Sequence, residues 1–266
     1  MAEIKNPLEV YKILPQTNCG KCYFSTCLAF AAAVIKGEAQ LTDCPDLDKA
    51  SIEEFAPKIA TRASSDWKQE EVLASLQKQV AALDLPSKAS ALGGKIVGDK
   101  LSLKSLGKDF LVDPEGNVTS ECHTHAGLTI PLLSYILQSS GVEISGEWVP
   151  FRELEGGGAM NPLFIQRGEI RLKNIADRHT DLFEDLVGLF SGERADKEFF
   201  SDIALILYPL PKVPILICYW KPEEDLESVL NIFFDSTADR HLNISSIFSL
   251  AVGFVMMMEK IAVKHC

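Results

Sequence analysis

Four cysteines near the start of the chain, Cys19, Cys22, Cys27 and Cys44, follow the spacing C-x2-C-x4-C-x16-C, and Pro45 comes directly after the last. No other feature constrains folding as tightly, because four thiolates that share a soft metal fix where four points of the backbone must meet. Such a set completes either a tetrahedral zinc site or an iron–sulfur cubane. The opening MAEIKNPLEVYKIL has scattered charges and no apolar run like that of a secretory leader. A cytoplasmic location is therefore expected, and in a reducing compartment clustered cysteines favour metal ligation over disulfides.

The spacing itself discriminates between metals. Zinc ribbons usually present two C-x2-C knuckles, and here there is one. Cys27 opens a helical stretch in which Cys27, Leu28, Ala31 and Ile35 share a face, with Ser25 or Thr26 placed to cap it. Cys44 then returns from a loop beyond that helix. Three ligands close together and one distant suit a cubane better than zinc.

The surrounding residues carry a resemblance. Leu14-Pro15, Asn18-Cys19-Gly20-x-Cys22, Thr26-Cys27, Ala29-Phe30-Ala31 and Cys44-Pro45 resemble the [4Fe-4S] domain of the corrinoid iron–sulfur protein large subunit. More distantly they are similar to the cluster domain of RnfB-type electron-transport subunits. The resemblance covers roughly the first 60 residues and implies that Cys19, Cys22, Cys27 and Cys44 ligate one [4Fe-4S] cluster. Gly20 would take a positive φ between ligands, and Tyr23 and Phe24 would shield the cluster from water. With every iron held by a thiolate, electron transfer is favoured over Lewis-acid chemistry.

Beyond the cysteines the pattern changes. The expected organisation is a cluster domain over residues 1–62, a helix and linker over 63–92, and a larger domain over 93–266. Val72, Leu73, Leu76, Val80 and Leu83 lie at helical spacing, so a helix is expected over 69–85. The small, polar run 87–94 reads as linker. Alternating apolar residues broken by Gly-Asp, Gly-Lys and DPEG predict a strand meander after Gly94. A helix over 126–139 is interrupted by Pro131, and 163–190 reads as mostly helical. IALILYPL (203–210) and VPILICYW (213–220) predict a hairpin, NIFFD a further strand, and 244–263 a final helix. The fold class is α+β: a small, mostly helical [4Fe-4S] domain followed by a mixed domain with antiparallel hairpins. The longest apolar run, 247–258, is too short to span a bilayer and reads as a buried helix, in which Met256, Met257 and Met258 pack.

The larger part lacks the barrel and cobalamin-binding domain that the corrinoid iron–sulfur resemblance would continue into. Residues 148–164 and 210–242 instead resemble an uncharacterised domain family of anaerobes that accompanies this type of cluster module. Its candidate cofactor residues come from the chain alone. His123 and His125 in ECHTHAG are placed to be an axial ligand of a corrinoid or haem, or to bind a metal; a polar loop capping the next helix is the plainer reading. Arg152 with Gly156 and Gly157 could meet a flat or phosphorylated cofactor, although a plain flexible turn is the better reading of three glycines. Cys122 and Cys218 read as incidental thiols, and 222–225 as the acidic start of a helix.

The net charge is −11 over 266 residues, which excludes nucleic acid as a partner, since phosphate binding needs a basic face. The expected function is electron transfer through one low-potential cluster to a corrinoid (cobalamin or a relative), bound in the larger domain or on a partner methyltransferase system. The alternative is an adaptor with a structural or redox-sensing cluster and no tetrapyrrole.

Overall fold

The computed structural model describes residues 4, 6–37, 39–59, 64–122, 126–224 and 226–264. The chain divides into two compact units, Met1–Glu71 and Val72–Cys266. The α+β class is borne out, with helices and two wholly antiparallel sheets.

In the first unit α1 (Pro7–Ile13) begins at Asn6, whose Oδ1 accepts from Leu8 N, with Pro7 at the first helical position where its missing N–H costs nothing. Helix α2 (Cys27–Ile35) is capped by Thr26, which accepts from Ala29 N at 3.1 Å. A 3₁₀ turn (Leu41–Asp43) and α3 (Lys49–Phe55), capped by Asp48, complete the unit. Val10, Leu14, Cys27, Phe30, Ala31, Val34, Leu41, Cys44 and Leu47 form its core. The buried stripe of α2 is therefore 27, 30, 31 and 34, whereas Leu28 is exposed. Both stripes contain Cys27 and Ala31. Phe30, the largest apolar side chain of the helix, selects between them by packing edge-on against Phe24.

In chain order, the remaining elements begin with α4 (Ser64–Val80), which starts and ends earlier than its apolar spacing suggests. Next comes α5 (Leu85–Lys88). The run read as linker is packed instead: Leu85, Ala89 and Leu92 are buried in the larger core, and Tyr135 Oη donates to Leu92 O at 2.9 Å. Their i, i+4, i+7 spacing is a helical stripe hidden among serines and glycines.

The meander follows as β1 (Lys95–Val97), β2 (Lys100–Ser105), β3 (Lys108–Val112) and β4 (Val118–Ser120), paired in sequence order. Helix α6 (Ala126–Gln138) contains Pro131, which cannot donate to Gly127 O. After β5 (Trp148–Pro150) come α7 (Gly157–Phe164), a π-helical turn (Ile165–Glu169), α8 (Ile170–Arg178) and α9 (Thr180–Phe190). Then follow β6 (Glu193–Arg194), α10 (Asp196–Phe199), β7 (Ile203–Leu210), β8 (Val213–Trp220), β9 (Val229–Asp235) and α11 (Ile244–Lys264). The five-stranded sheet runs β5-β9-β8-β7-β6.

One face of that sheet carries Leu205, Leu207, Ile215, Ile217, Ile232 and Phe234 into the main core, where Phe151 and Phe164 stack at 4.2 Å. The π-helical turn brings Glu169 to β9, where it accepts from Ile232 N at 3.0 Å. That donor lies just beyond the reach of the short strand β5, and burial pushes the Glu169 carboxyl up. The segment read as an acidic helix start is instead a turn, with a bridge between Glu223 and Leu226, because few residues separate β8 from β9. Helix α11 has the expected start and ends within one residue of the expected end. By length and mean hydropathy (20 residues, 1.7) it could cross a membrane, yet 56% of that stretch is buried inside the protein. Met258 is buried, while Met256 is exposed.

Candidate metal centre

The loop from Leu14 to Thr26 is shaped by left-handed residues. Gln16, Asn18, Gly20 and Tyr23 take φ of 58°, 49°, 72° and 64°. Three of these are not glycine; Asn18 is tolerated there, whereas Gln16 and Tyr23 each cost about 1 kcal/mol. Gln16, Asn18 and Gly20 alternate with their neighbours, and alternation of left-handed with right-handed residues turns successive backbone N–H groups to one side, a geometry used to surround anions and iron–sulfur clusters. Asn18 closes the loop: its Oδ1 accepts from Cys27 N at 2.8 Å, tying the first cysteine knuckle to the start of α2. Leu14, buried in the core, anchors the other end.

The four thiols run from core to surface. Cys27 and Cys44 are each 7% exposed and sit among Phe30, Ala31, Val34 and Leu41. Cys22 is half-buried and Cys19 exposed. Burial pushes the Cys44 thiol up, and the nearby Cys22 and Cys27 add to this, so these three lie within electrostatic reach of one another. At the exposed edge Cys19 Sγ donates to Asp46 Oδ2 at 3.4 Å, and Lys21 pairs with Asp46 at 2.8 Å. The Lys21 ammonium, and then the Cys19 hydrogen bond, hold the Asp46 carboxyl below its usual range. Loop 18–22 is thereby tied to loop 44–46. The N-terminus of α2 favours negative charge beside Cys27. Among the described residues no three His, Cys, Asp or Glu are gathered round a single ion. The fit to a cluster lies in the all-thiol donor set, its partial burial and the loop that carries it.

Asn18, Lys21 and Asp46 were not assigned roles from sequence, although Asn18 stood within the motif that carried the resemblance. Phe24 is half-buried against Phe30, as a water shield requires, whereas Tyr23 is 44% exposed.

The candidate cofactor residues of the larger unit fare differently. His123 and His125 lie outside the described residues. Gly156 takes φ of 79° as the residue before α7, and a Cβ there would lie 3.2 Å from Ile244 Cγ2. Gly157 is buried, and a Cβ there would collide with the Phe151 carbonyl. The chain's own packing accounts for these glycines, in keeping with the plain-turn reading. Arg152 is exposed, 3.7 Å from Glu153. Cys218 is buried on β8 and Cys122 exposed. A half-open cleft of about 330 Å³, its open mouth included, lies where Gly127 of α6 meets Gly253 of α11, lined also by Leu128, Phe254 and Met257.

A cysteine-loop unit ahead of an α+β unit is the class of protein that emerges. Residues 14–45 match the family described as "Putative Fe-S cluster", so an iron–sulfur cluster domain stands at the N-terminal side. Residues 84–257, well over half of the chain, match "Domain of unknown function (DUF3786)", and the chain belongs to that family. The chain is similar to the acetyl-CoA decarbonylase/synthase complex subunit gamma 2 of Methanosarcina mazei, 52% identical over 58 residues (22% of this chain, 12% of that protein). It is 39% identical over 92 residues to subunit gamma 1 of Methanosarcina thermophila (35% and 18%). To subunit gamma of Archaeoglobus fulgidus it is 35% identical over 97 residues (36% and 19%). The chain thus spans less than a fifth of these relatives' length. No solved structure matches it.

Proposed function

We propose that this protein is an iron–sulfur electron-transfer protein that serves a corrinoid-dependent partner system. Cys19, Cys22, Cys27 and Cys44 hold one [4Fe-4S] cluster, which when bound supplies one-electron transfer at low potential. Cys27 and Cys44 hold its buried side. Leu14, Phe24 and Phe30 keep water from that side, and Asn18 holds the loop in its strained shape. Cys19 with Lys21 and Asp46 forms the exposed edge that a redox partner meets.

The observation that carries this reading is the loop itself: three non-glycine left-handed residues, pinned by Asn18, around thiols that grade from buried to exposed. The likeness to gamma subunits of acetyl-CoA decarbonylase/synthase complexes supports a role beside such a complex. The corrinoid is assigned to the partner, in line with the relatives' being subunits of a multi-subunit complex.

The test is anaerobic purification with iron, cobalt and zinc analysis, followed by mixing the dithionite-reduced protein with a Co(II) corrinoid protein. Iron and sulfide without cobalt, and oxidation of the reduced protein concurrent with Co(I) formation, are expected. Zinc in place of iron, or a reduced protein that leaves Co(II) unchanged, overturns the proposal.

A further inference from the structure

The second face of the five-stranded sheet carries its own apolar cluster, separate from the main core. Ala195, Ala204, Leu216 and Cys218 are buried there, packed against Trp148, Phe199, Ile206, Trp220 and Phe233. At one corner of this face the apolar surface breaks into solvent. Phe200 is 90% exposed, Leu226 66% and Val229 48%. They form one patch: Trp220 pairs with Val229 across β8 and β9, and its Nε1 donates to Phe200 O at 3.0 Å. Leu226 belongs to the turn that joins those strands.

Phe200 is also held out deliberately by the backbone. It takes φ of 48°, a left-handed conformation unfavourable for a bulky side chain. The segment is locked by Trp220 on one side and by Asp202 Oδ2, which accepts from Lys221 N at 2.7 Å, on the other. Scattered exposed apolar residues are ordinary, but an aromatic presented at a fixed, strained turn beside two further apolar side chains marks an interaction surface. Its rim is acidic. Glu198 and Asp202 flank Phe200, and Glu223, Glu224 and Glu227 flank Leu226, all exposed, with Lys221 among them.

We propose that this corner, Phe200, Trp220, Leu226 and Val229 within a ring of carboxylates, docks a partner protein through an apolar segment flanked by lysine or arginine. Charge complementarity selects that occupant. Carboxylates around an aromatic anchor repel a second copy of the same acidic surface and steer a basic one. The proposal stands independently of the electron-transfer reading, since it involves none of the four clustered cysteines Cys19, Cys22, Cys27 and Cys44.

The test uses the full-length protein and two labelled amphipathic helical peptides, one of leucine and lysine, the other of leucine and glutamate, followed by fluorescence anisotropy. The lysine peptide is expected to bind, with affinity that falls as salt rises from about 0.05 M to about 0.5 M. Phe200→Ser and Leu226→Ser are each expected to weaken it by about tenfold or more, whereas Val142→Ser, an exposed apolar position elsewhere, leaves it unchanged. All three changes are at exposed side chains, and matching thermal melts verify that the variants fold. Equal binding by wild type and both patch variants, no binding by wild type, or equal binding of the glutamate peptide overturns the proposal. Sedimentation that reveals a dimer lost in Phe200→Ser also overturns it, in favour of self-association.

Discussion

Replacing Asn18 by alanine removes two contributions that the structure separates. The first is the hydrogen bond from Cys27 N at 2.8 Å, worth about 1 kcal/mol net. The second is conformational: at φ of 49° asparagine is tolerated, whereas alanine adds about 1 kcal/mol. Together these raise the population of the opened loop by about 2 kcal/mol, or roughly 30-fold. Asn18→Gly loses the hydrogen bond but not the conformational freedom, so its loop opens only about fivefold more often. Cluster loss from the reconstituted protein, followed by visible absorbance in the presence of an iron chelator, reads this directly when opening precedes loss. The expected order of loss rates is wild type, then glycine, then alanine. Equal rates for all three, or faster loss from the glycine variant, would refute the assignment of Asn18 as the loop's tether.

Three further outcomes are expected. Lys21→Glu places a negative charge beside Asp46 and Cys19, which should lower the cluster's midpoint potential by on the order of tens of millivolts, measured by redox titration at low salt. Gly157→Ala drives a Cβ into the Phe151 carbonyl; a cost of about 2–3 kcal/mol lowers the melting temperature of the larger unit by roughly 5–10 °C. The third concerns pH. His241 is buried with Nδ1 on Ser139 Oγ at 2.8 Å, and burial, then Lys212, hold its pKa below the usual 6.5. The folded state binds fewer protons at this site, so its contribution is full above 6.5 and falls as pH drops toward the lower folded value. Melts between about pH 7 and pH 5 should lose stability, and the loss should shrink in His241→Gln. Glu169, pushed up by burial, has the opposite sign: its contribution is present below its ordinary 4.5 and falls as pH rises.

The hairpin of β7 and β8 was legible because continuous apolar runs bounded by a Pro-Lys turn leave few alternatives, and both strands have the expected bounds. The cysteine loop was legible from its spacing and from Gly20, which does take a positive φ. What escaped reading depends on contacts distant in sequence. Ala89 and Leu92 looked like linker because they stand among small and polar residues, and only a core to pack against reveals the stripe they form with Leu85. Asn18 reaches a backbone amide nine residues away, which follows from the loop's fold rather than from local propensity. The three glycines gave a turn, but the close approach of the Phe151 carbonyl that Gly157 permits is not visible in composition. Buried His241 carried no periodic signal, and among the described residues its Nε2 has no hydrogen-bond partner.

The central claim is that the strained thiol loop holds one cubane used for electron transfer. Its most direct test is low-temperature EPR of the anaerobically purified protein before and after dithionite, with iron and sulfide assayed on the same sample. The account predicts four irons and four sulfides per chain, no signal as purified, and a reduced S = 1/2 signal lost in Cys27→Ser. One zinc per chain with no paramagnetic signal in either state would contradict it.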